Sequence, residues 1–185
     1  MAEIDDAIER ADRENFTRQP PKTLQARINF LIKQLKTTKA VAQEIGVSQR
    51  SVERYRKGER KHPPKAITDR IDAAVRQRWQ PQVRKRRQKQ AATTTGITVE
   101  TRARFGYTAP IGTTDDGRFR RLTVHLPPTY AQRLFDARNT GASDQQMRAI
   151  IAEGFKDIYF QDGGTRATGL TDITLNDIDY LDLDY

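Results

Sequence analysis

Residues 37–57 leave the chain little choice of local fold. Val41, Ala42 and Ile45 share one face at helical spacing. Gly46 follows at once, where a helix end needs a residue that accepts positive φ. Val47 suits the angle between two helices, and the Ser48 hydroxyl suits the cap of the next. Val52 and Tyr55 then fall on the inner face of that second helix. Ala42 is small enough to let the two helices approach closely. Two short helices joined by a three-residue turn are predicted, in the order of a helix-turn-helix.

Such a corner leaves Gln49, Arg50, Ser51, Glu53, Arg54 and Lys57 outside on the second helix. These side-chain types bond base edges and phosphates. The alternative is an αα corner that touches no nucleic acid, and the basic outward face weighs against it.

Charge is sorted along the chain. Residues 1–16 carry 2 basic and 6 acidic side chains, residues 17–121 carry 26 and 8, and residues 162–185 carry 1 and 6. The central excess is a footprint for a polyanion. Nucleic acid fits it better than a membrane surface, because no Trp/Phe/Leu-rich amphipathic face accompanies it. The 185 residues contain no cysteine and only two histidines, His62 and His125. Disulfides, thiolate metal sites and cysteine catalysis are thereby excluded, and a histidine metal site is disfavoured. No run of about 18 apolar residues and no signal-peptide core follow Met1, so a cytoplasmic protein is expected.

In chain order, residues 3–14 suit a short acidic helix with Ile4, Ala7, Ile8 and Ala11 on one stripe, ended by Pro20-Pro21. Thr23 opens a helix to about Lys36 with Leu24, Ile28, Leu31, Ile32 and Leu35 inward. After Gly58 and His62-Pro63-Pro64, a further helix buries Ile67, Ile71, Ala74 and Val75. Residues 22–79 thus form a four-helix DNA-binding domain in this reading. Arg84, Lys85, Arg86, Arg87 and Lys89 then read as an arm along phosphates, or else as a solvated helix end. The Thr/Gly/Ala-rich stretch that follows suggests a flexible basic linker with some extended structure over 80–118. Within it, Phe105 and Tyr107 among Arg102 and Arg104 either stack on bases or dock a loop.

Leu122, Val124 and Leu126 alternate with Arg121, Thr123 and His125, the period of a half-buried strand. A helix with Tyr130, Leu134 and Ala137 inward follows, then Asn139-Thr140-Gly141. Ser143 to Gln146 is a capping box ahead of Met147, Ile150, Ile151, Phe155 and Ile158. Strand, helix, turn, helix over 119–161 is the order of a ribbon-helix-helix. One unit alone does not bury its apolar face, so a homodimer with a shared ribbon is expected, and Arg121, Thr123 and His125 would face the major groove. A purely dimerising or partner-docking unit is the alternative. Residues 162–185 form an acidic tail alternating with apolar residues: a solubilising tail, an intramolecular competitor for the basic face, or a strand added to a partner. The fold class expected is mainly α, with an acidic segment 1–21, the helix-turn-helix domain, the linker, an α+β module and the tail.

Several stretches together resemble the telomere terminal proteins of linear streptomycete chromosomes and plasmids. They are residues 18–27 (Arg-Gln-Pro-Pro-Lys-Thr-Leu-Gln-Ala-Arg), the helix-turn-helix, Gln88-Lys-Gln-Ala91, residues 105–117 from Phe-Gly-Tyr-Thr to Asp-Asp-Gly, and Asp179 to Tyr185. The resemblance spans the whole chain. It implies a protein covalently attached to the 5′ ends of a linear replicon, whose threonine hydroxyl primes DNA synthesis in place of a nucleic-acid primer. It implies no cofactor of the protein's own, the divalent metal and deoxynucleotide being supplied at the polymerase site. It implies telomeric DNA with a single-stranded 3′ overhang, a telomere-associated recruiting protein and a DNA polymerase as partners.

The matching priming position is Thr114, with Thr113 its nearest rival and Tyr107 a distant third. By itself, Thr113-Thr114-Asp115-Asp116-Gly117 reads as an ordinary turn. A hydroxyl that enters a polymerase site needs an exposed, extensible segment, and residues 112–117 have that composition. The rival function is a dimeric helix-turn-helix or ribbon-helix-helix repressor without covalent chemistry. A nuclease or recombinase is weaker, since no acidic cluster or activated nucleophile is evident in the basic domain.

Overall fold

The computed structural model describes residues 3–108 and 119–185. The chain is mainly helical, with one three-stranded antiparallel sheet. It divides into two compact units, residues 16–82 and residues 3–15 with 83–185.

The 16–82 unit holds α2 (Leu24–Leu35), α3 (Thr38–Ile45), α4 (Gln49–Lys57) and α5 (Lys65–Arg78). Hydroxyl caps set the helix starts: Thr23 accepts from the Ala26 amide at 3.2 Å, Thr37 from Ala40 at 3.0 Å and Ser48 from Ser51 at 3.2 Å. Gly46 ends α3 with φ 68° and ψ 44°, a left-handed geometry that is cheap only without a Cβ. The Val47 amide then donates to the Ala42 carbonyl at 2.9 Å, which closes the turn. Ile28, Leu31, Val41, Ala42, Ile45, Val52, Tyr55, Ile71, Ala74 and Val75 form the core, as the periodicity predicts. Val47 and Ile67 pack against it half-buried. Phe30 meets Trp79 edge-on at 5.1 Å, and Arg27 pairs with Asp72 at 2.5 Å.

The other unit is built on β1 (Ile97–Thr108), β2 (Phe119–Leu126) and β3 (Asp172–Asp184), in the order β2-β1-β3. One sheet face shares a core with α1 (Glu3–Glu14), α7 (Pro128–Asn139) and α8 (Asp144–Phe155). Val99, Ala103, Phe105, Leu122, Val124, Ile173, Leu175, Leu181 and Leu183 supply the sheet side of it. Ile4, Ala7, Ile8, Leu134, Met147, Ile151 and Phe155 supply the helical side. Ser143 and Gln146 make the expected reciprocal capping box on α8.

Three expectations are corrected here. Residues 80–118 are not a linker over their described part. α6 (Pro81–Gln90), a π-helical turn at Ala91–Thr95 and the central strand β1 occupy them. Ile97, Val99, Ala103 and Phe105 bury fully, so the stretch holds part of the core. The acidic tail is not a free segment either: from Asp172 it is β3, paired antiparallel with β1. The shared ribbon also changes character. β2 pairs with β1 of the same chain, Val99 opposite Val124 and Thr101 opposite Leu122, and its apolar face is buried there. One unit therefore does bury its own apolar face, with β2 as an edge strand of its sheet.

β3 carries two register shifts. Arg102 stands opposite Tyr180 and Ala103 opposite Ile178, so Asp179 is the extra residue between them. From Ala103 to Phe105, β1 advances two residues while β3 advances three, from Ile178 to Leu175. Each bulge inserts one residue and re-aims the strand. Together they keep Leu181, Ile178 and Leu175 toward the core across an acidic stretch, with Asp177 and Asp179 exposed.

Gly96 is required where the π-helical turn enters β1. Its φ of 73° with ψ of −160° is a glycine-only geometry, and a Cβ there would stand 2.3 Å from the Leu126 carbonyl oxygen.

Candidate nucleic-acid interface

The separation of charge follows the two units. Residues 16–82 hold 16 basic and 5 acidic side chains, whereas residues 1–15 and 83–185 together hold 17 and 19. The whole positive excess therefore resides in the α2–α5 unit.

Within it, α4 presents the basic surface. Val52 and Tyr55 turn inward, while Gln49, Arg50, Glu53, Arg54, Arg56 and Lys57 are exposed and Ser51 is half-buried. Gln49 is held on the face by its amide, which donates to Thr38 Oγ1 at 2.9 Å and to Glu53 at 3.3 Å. The hydroxyls of Ser48 and Ser51 lie 3.0 Å apart. Among the described residues Arg54 has a loose, exposed partner, Glu59 at 3.6 Å. Such pairs exchange readily for phosphate, because a surface ion pair is worth only about 0–1 kcal/mol. α4 runs from an N-cap held by Ser48 to Gly58, with Arg54, Arg56 and Lys57 in its last turn. Cations there complement the helix dipole and keep the outward charge in place.

The other sequence-predicted contacts are dispersed. Lys85, Arg86, Arg87 and Lys89 are exposed, but on a helix and not on an extended arm. Arg84 leaves that set. Its side chain is 14% exposed and forks onto Glu9, both bonds 3.3 Å, with Asp12 at 4.0 Å. It ties α6 to α1 and is an anchor instead of a phosphate contact. Arg121, Thr123 and His125 are exposed on the open face of the sheet, as alternation predicts. Arg121 is engaged by Glu100 at 2.6 Å, and that carboxylate also accepts from Tyr180 at 3.0 Å. The Arg121 bond holds Glu100 below the usual carboxylate range and raises the arginine. His125 Nδ1 lies 3.1 Å from Thr98 Oγ1.

The β1 arginines are answered by the acidic strand. Arg102 pairs with Asp179, and Arg104 approaches Asp177 at 3.9 Å. Phe105 is fully buried against Phe155 with ring centroids 5.6 Å apart, which decides for docking over base stacking at that residue. Thr113 and Thr114 lie outside the described residues. Among the described residues, no group of three or more His, Asp or Glu side chains is placed to hold a metal, and no helix is long and apolar enough to cross a membrane.

Sequence reasoning missed an ionic cluster under the sheet. Arg138 of α7 bonds Asp5 at 2.6 Å and Glu9 at 2.7 Å, with Asp12 at 3.5 Å. Arg148 of α8 bonds Glu3 and Asp144, both at 2.8 Å. The spacing of Asp5, Glu9 and Asp12 signals one acidic flank of a helix, though not where its partners lie.

Compared with known proteins, the chain matches no protein-family model, no curated protein and no solved structure.

Proposed function

We propose that the protein binds duplex DNA through the outward face of α4 and, as its sequence resemblance implies, acts as a protein primer joined through the Thr114 hydroxyl to the 5′ ends of a linear replicon. The observation that carries the DNA-binding part is α4 itself. It is a nine-residue helix, braced by α3 across a glycine turn, whose exposed cations and amide crown the positively charged unit. This supports a helix-turn-helix in which α4 enters the major groove.

The priming part rests on residues 105–117 of the sequence. In that reaction Thr114 Oγ attacks the α-phosphorus of a deoxynucleoside triphosphate. The Oγ–P bond forms, the bond to pyrophosphate breaks, and the hydroxyl proton passes to water. Metal ions supplied by the polymerase neutralise the phosphates, so this chain needs no catalytic base. A recruiting protein and the polymerase are the partners this reading requires, with the single-stranded overhang as template.

Incubation with a radiolabelled deoxynucleotide, a telomere-end template and a host extract tests it. Label on the protein that survives denaturation and nuclease is the expected result. Thr114→Ala abolishes the label and Thr113→Ala does not. A duplex binder that never takes up label is a repressor, and label persisting in both variants removes the site assignment.

A further inference from the structure

Beyond α4, the sheet unit contains a cleft that nothing above uses. It encloses about 400 Å³, inside the range of about 300–1,000 Å³ common for small-ligand sites. Tyr107, Tyr159, Phe160, Arg120 and Arg166 line most of it, and no carboxylate among the described residues does. Phe160 is the hinge of the aromatic set: its ring meets Tyr107 at 5.4 Å and Tyr159 at 4.9 Å, both edge-on. The Tyr159 ring is 44% exposed. Tyr159 belongs to a π-helical turn, Lys156–Phe160, a distortion that frequently marks functional positions. The far wall is held in place by Gln161, whose amide donates to the Leu170 carbonyl at 2.9 Å. Arg166 has an exposed partner among the described residues, Asp162 at 3.8 Å.

An exposed aromatic ring in a cleft lined by two arginines suits a planar base with a phosphate beside it. We propose that this cleft binds one deoxynucleotide unit, its base on Tyr159 and its phosphate between Arg120 and Arg166. The ligand class rests on the nucleic-acid reading above. In the sequence Tyr107 lies seven residues before Thr114, and Arg120 lies six after it, so the cleft flanks the segment that carries the priming hydroxyl. A nucleotide held there is either the free triphosphate or a residue of the single-stranded overhang.

Fluorescence anisotropy with the full chain and a labelled oligothymidylate of about 8 nucleotides tests this. Tyr159→Ala weakens single-strand binding about 5- to 100-fold, the range expected for one base–aromatic stack. Tyr159→Phe keeps the wild-type affinity, and Arg166→Gln weakens binding and lowers its salt dependence. Duplex affinity is unchanged in all three variants. Displacement of the oligonucleotide by deoxythymidine triphosphate assigns the cleft to the free nucleotide, and failure to displace assigns it to the strand. Tyr159→Ala binding the oligonucleotide as tightly as wild type overturns the proposal. No polymerase is present, so this outcome is read separately from loss of labelling at Thr114.

Discussion

Asp12 offers the sharpest test of how the sheet unit is held together. Its carboxylate is fully buried, with Arg84 4.0 Å away. The Tyr185 hydroxyl donates to it at 2.8 Å and the Gln88 amide reaches both oxygens at 3.3 Å. Arg138 stands 3.5 Å away. One side chain therefore joins α1, α6, α7 and the last residue of the chain. Asp12→Ala strands the Gln88 amide and weakens Tyr185, at about 1–3 kcal/mol for an orphaned buried donor. Loss of one member of a buried ion pair costs about 3–5 kcal/mol when the partner is left alone. Arg138 keeps Asp5 and Glu9 and is not left alone, so the orphaned donor dominates and a loss of up to about 3 kcal/mol is expected.

Trp79 is the one tryptophan and lies in the other unit, so its fluorescence does not report on this loss. Native-state amide exchange at Val99 and Thr101, on the central strand, does report on it. The surface control is Asp182→Ala, which removes an exposed partner of Arg10 at 3.1 Å and is expected to cost no more than about 1 kcal/mol. If Asp12→Ala lowers the opening free energy by no more than Asp182→Ala does, the cluster is not what secures these elements.

Three other outcomes are expected. Arg50→Ala or Arg54→Ala weakens duplex binding by about 1–3 kcal/mol and relaxes sequence preference, read by competition titration; equal losses on every sequence would leave only phosphate contact. Replacing Lys85, Arg86, Arg87 and Lys89 together by glutamine, with Arg84 kept as the anchor, flattens the slope of log affinity against log salt by about 3–4, and an unchanged slope removes α6 from the interface. Stability of the sheet unit falls as pH rises above about 10, where unfolded tyrosine ionises. Burial and then the Asp12 charge push the Tyr185 hydroxyl well above its ordinary range, so the folded chain keeps a proton that the unfolded chain loses. The slope is about 1.4 kcal/mol per pH unit for one such group, and Tyr185→Phe lessens it by that amount in alkaline urea titrations, while Tyr130, raised by burial, keeps its own share.

Local rules account for what was legible. Thr23, Ser48 and Ser143 as caps, Gly46 as a stop and the apolar stripes of α2 to α5 each act within one or two helical turns. The alternation from Leu122 to Leu126 likewise marks a strand with one wet face. The outward face of α4 follows from the same arithmetic, because assigning Val52 and Tyr55 to the core leaves Arg50, Arg54 and Lys57 outside.

Partner choice was not legible, because strand pairing and helix docking join residues far apart in the chain. β1 reads as a Thr- and Arg-bearing linker until β2 and β3 flank it, and Glu100 meets Asp182 across 82 positions. The acidic alternation from Asp172 to Asp184 is equally suited to a foreign sheet, and only the bulges against Ala103 show how it fits its own. The sequence by itself thus determined the helices, the caps and the basic face of α4, all governed by spacing along one element. Tertiary structure alone decided that β2 pairs with β1 of its own chain, that Arg84 turns inward, and that β3 answers the arginines of β1, since each depends on which distant surfaces meet and exclude water.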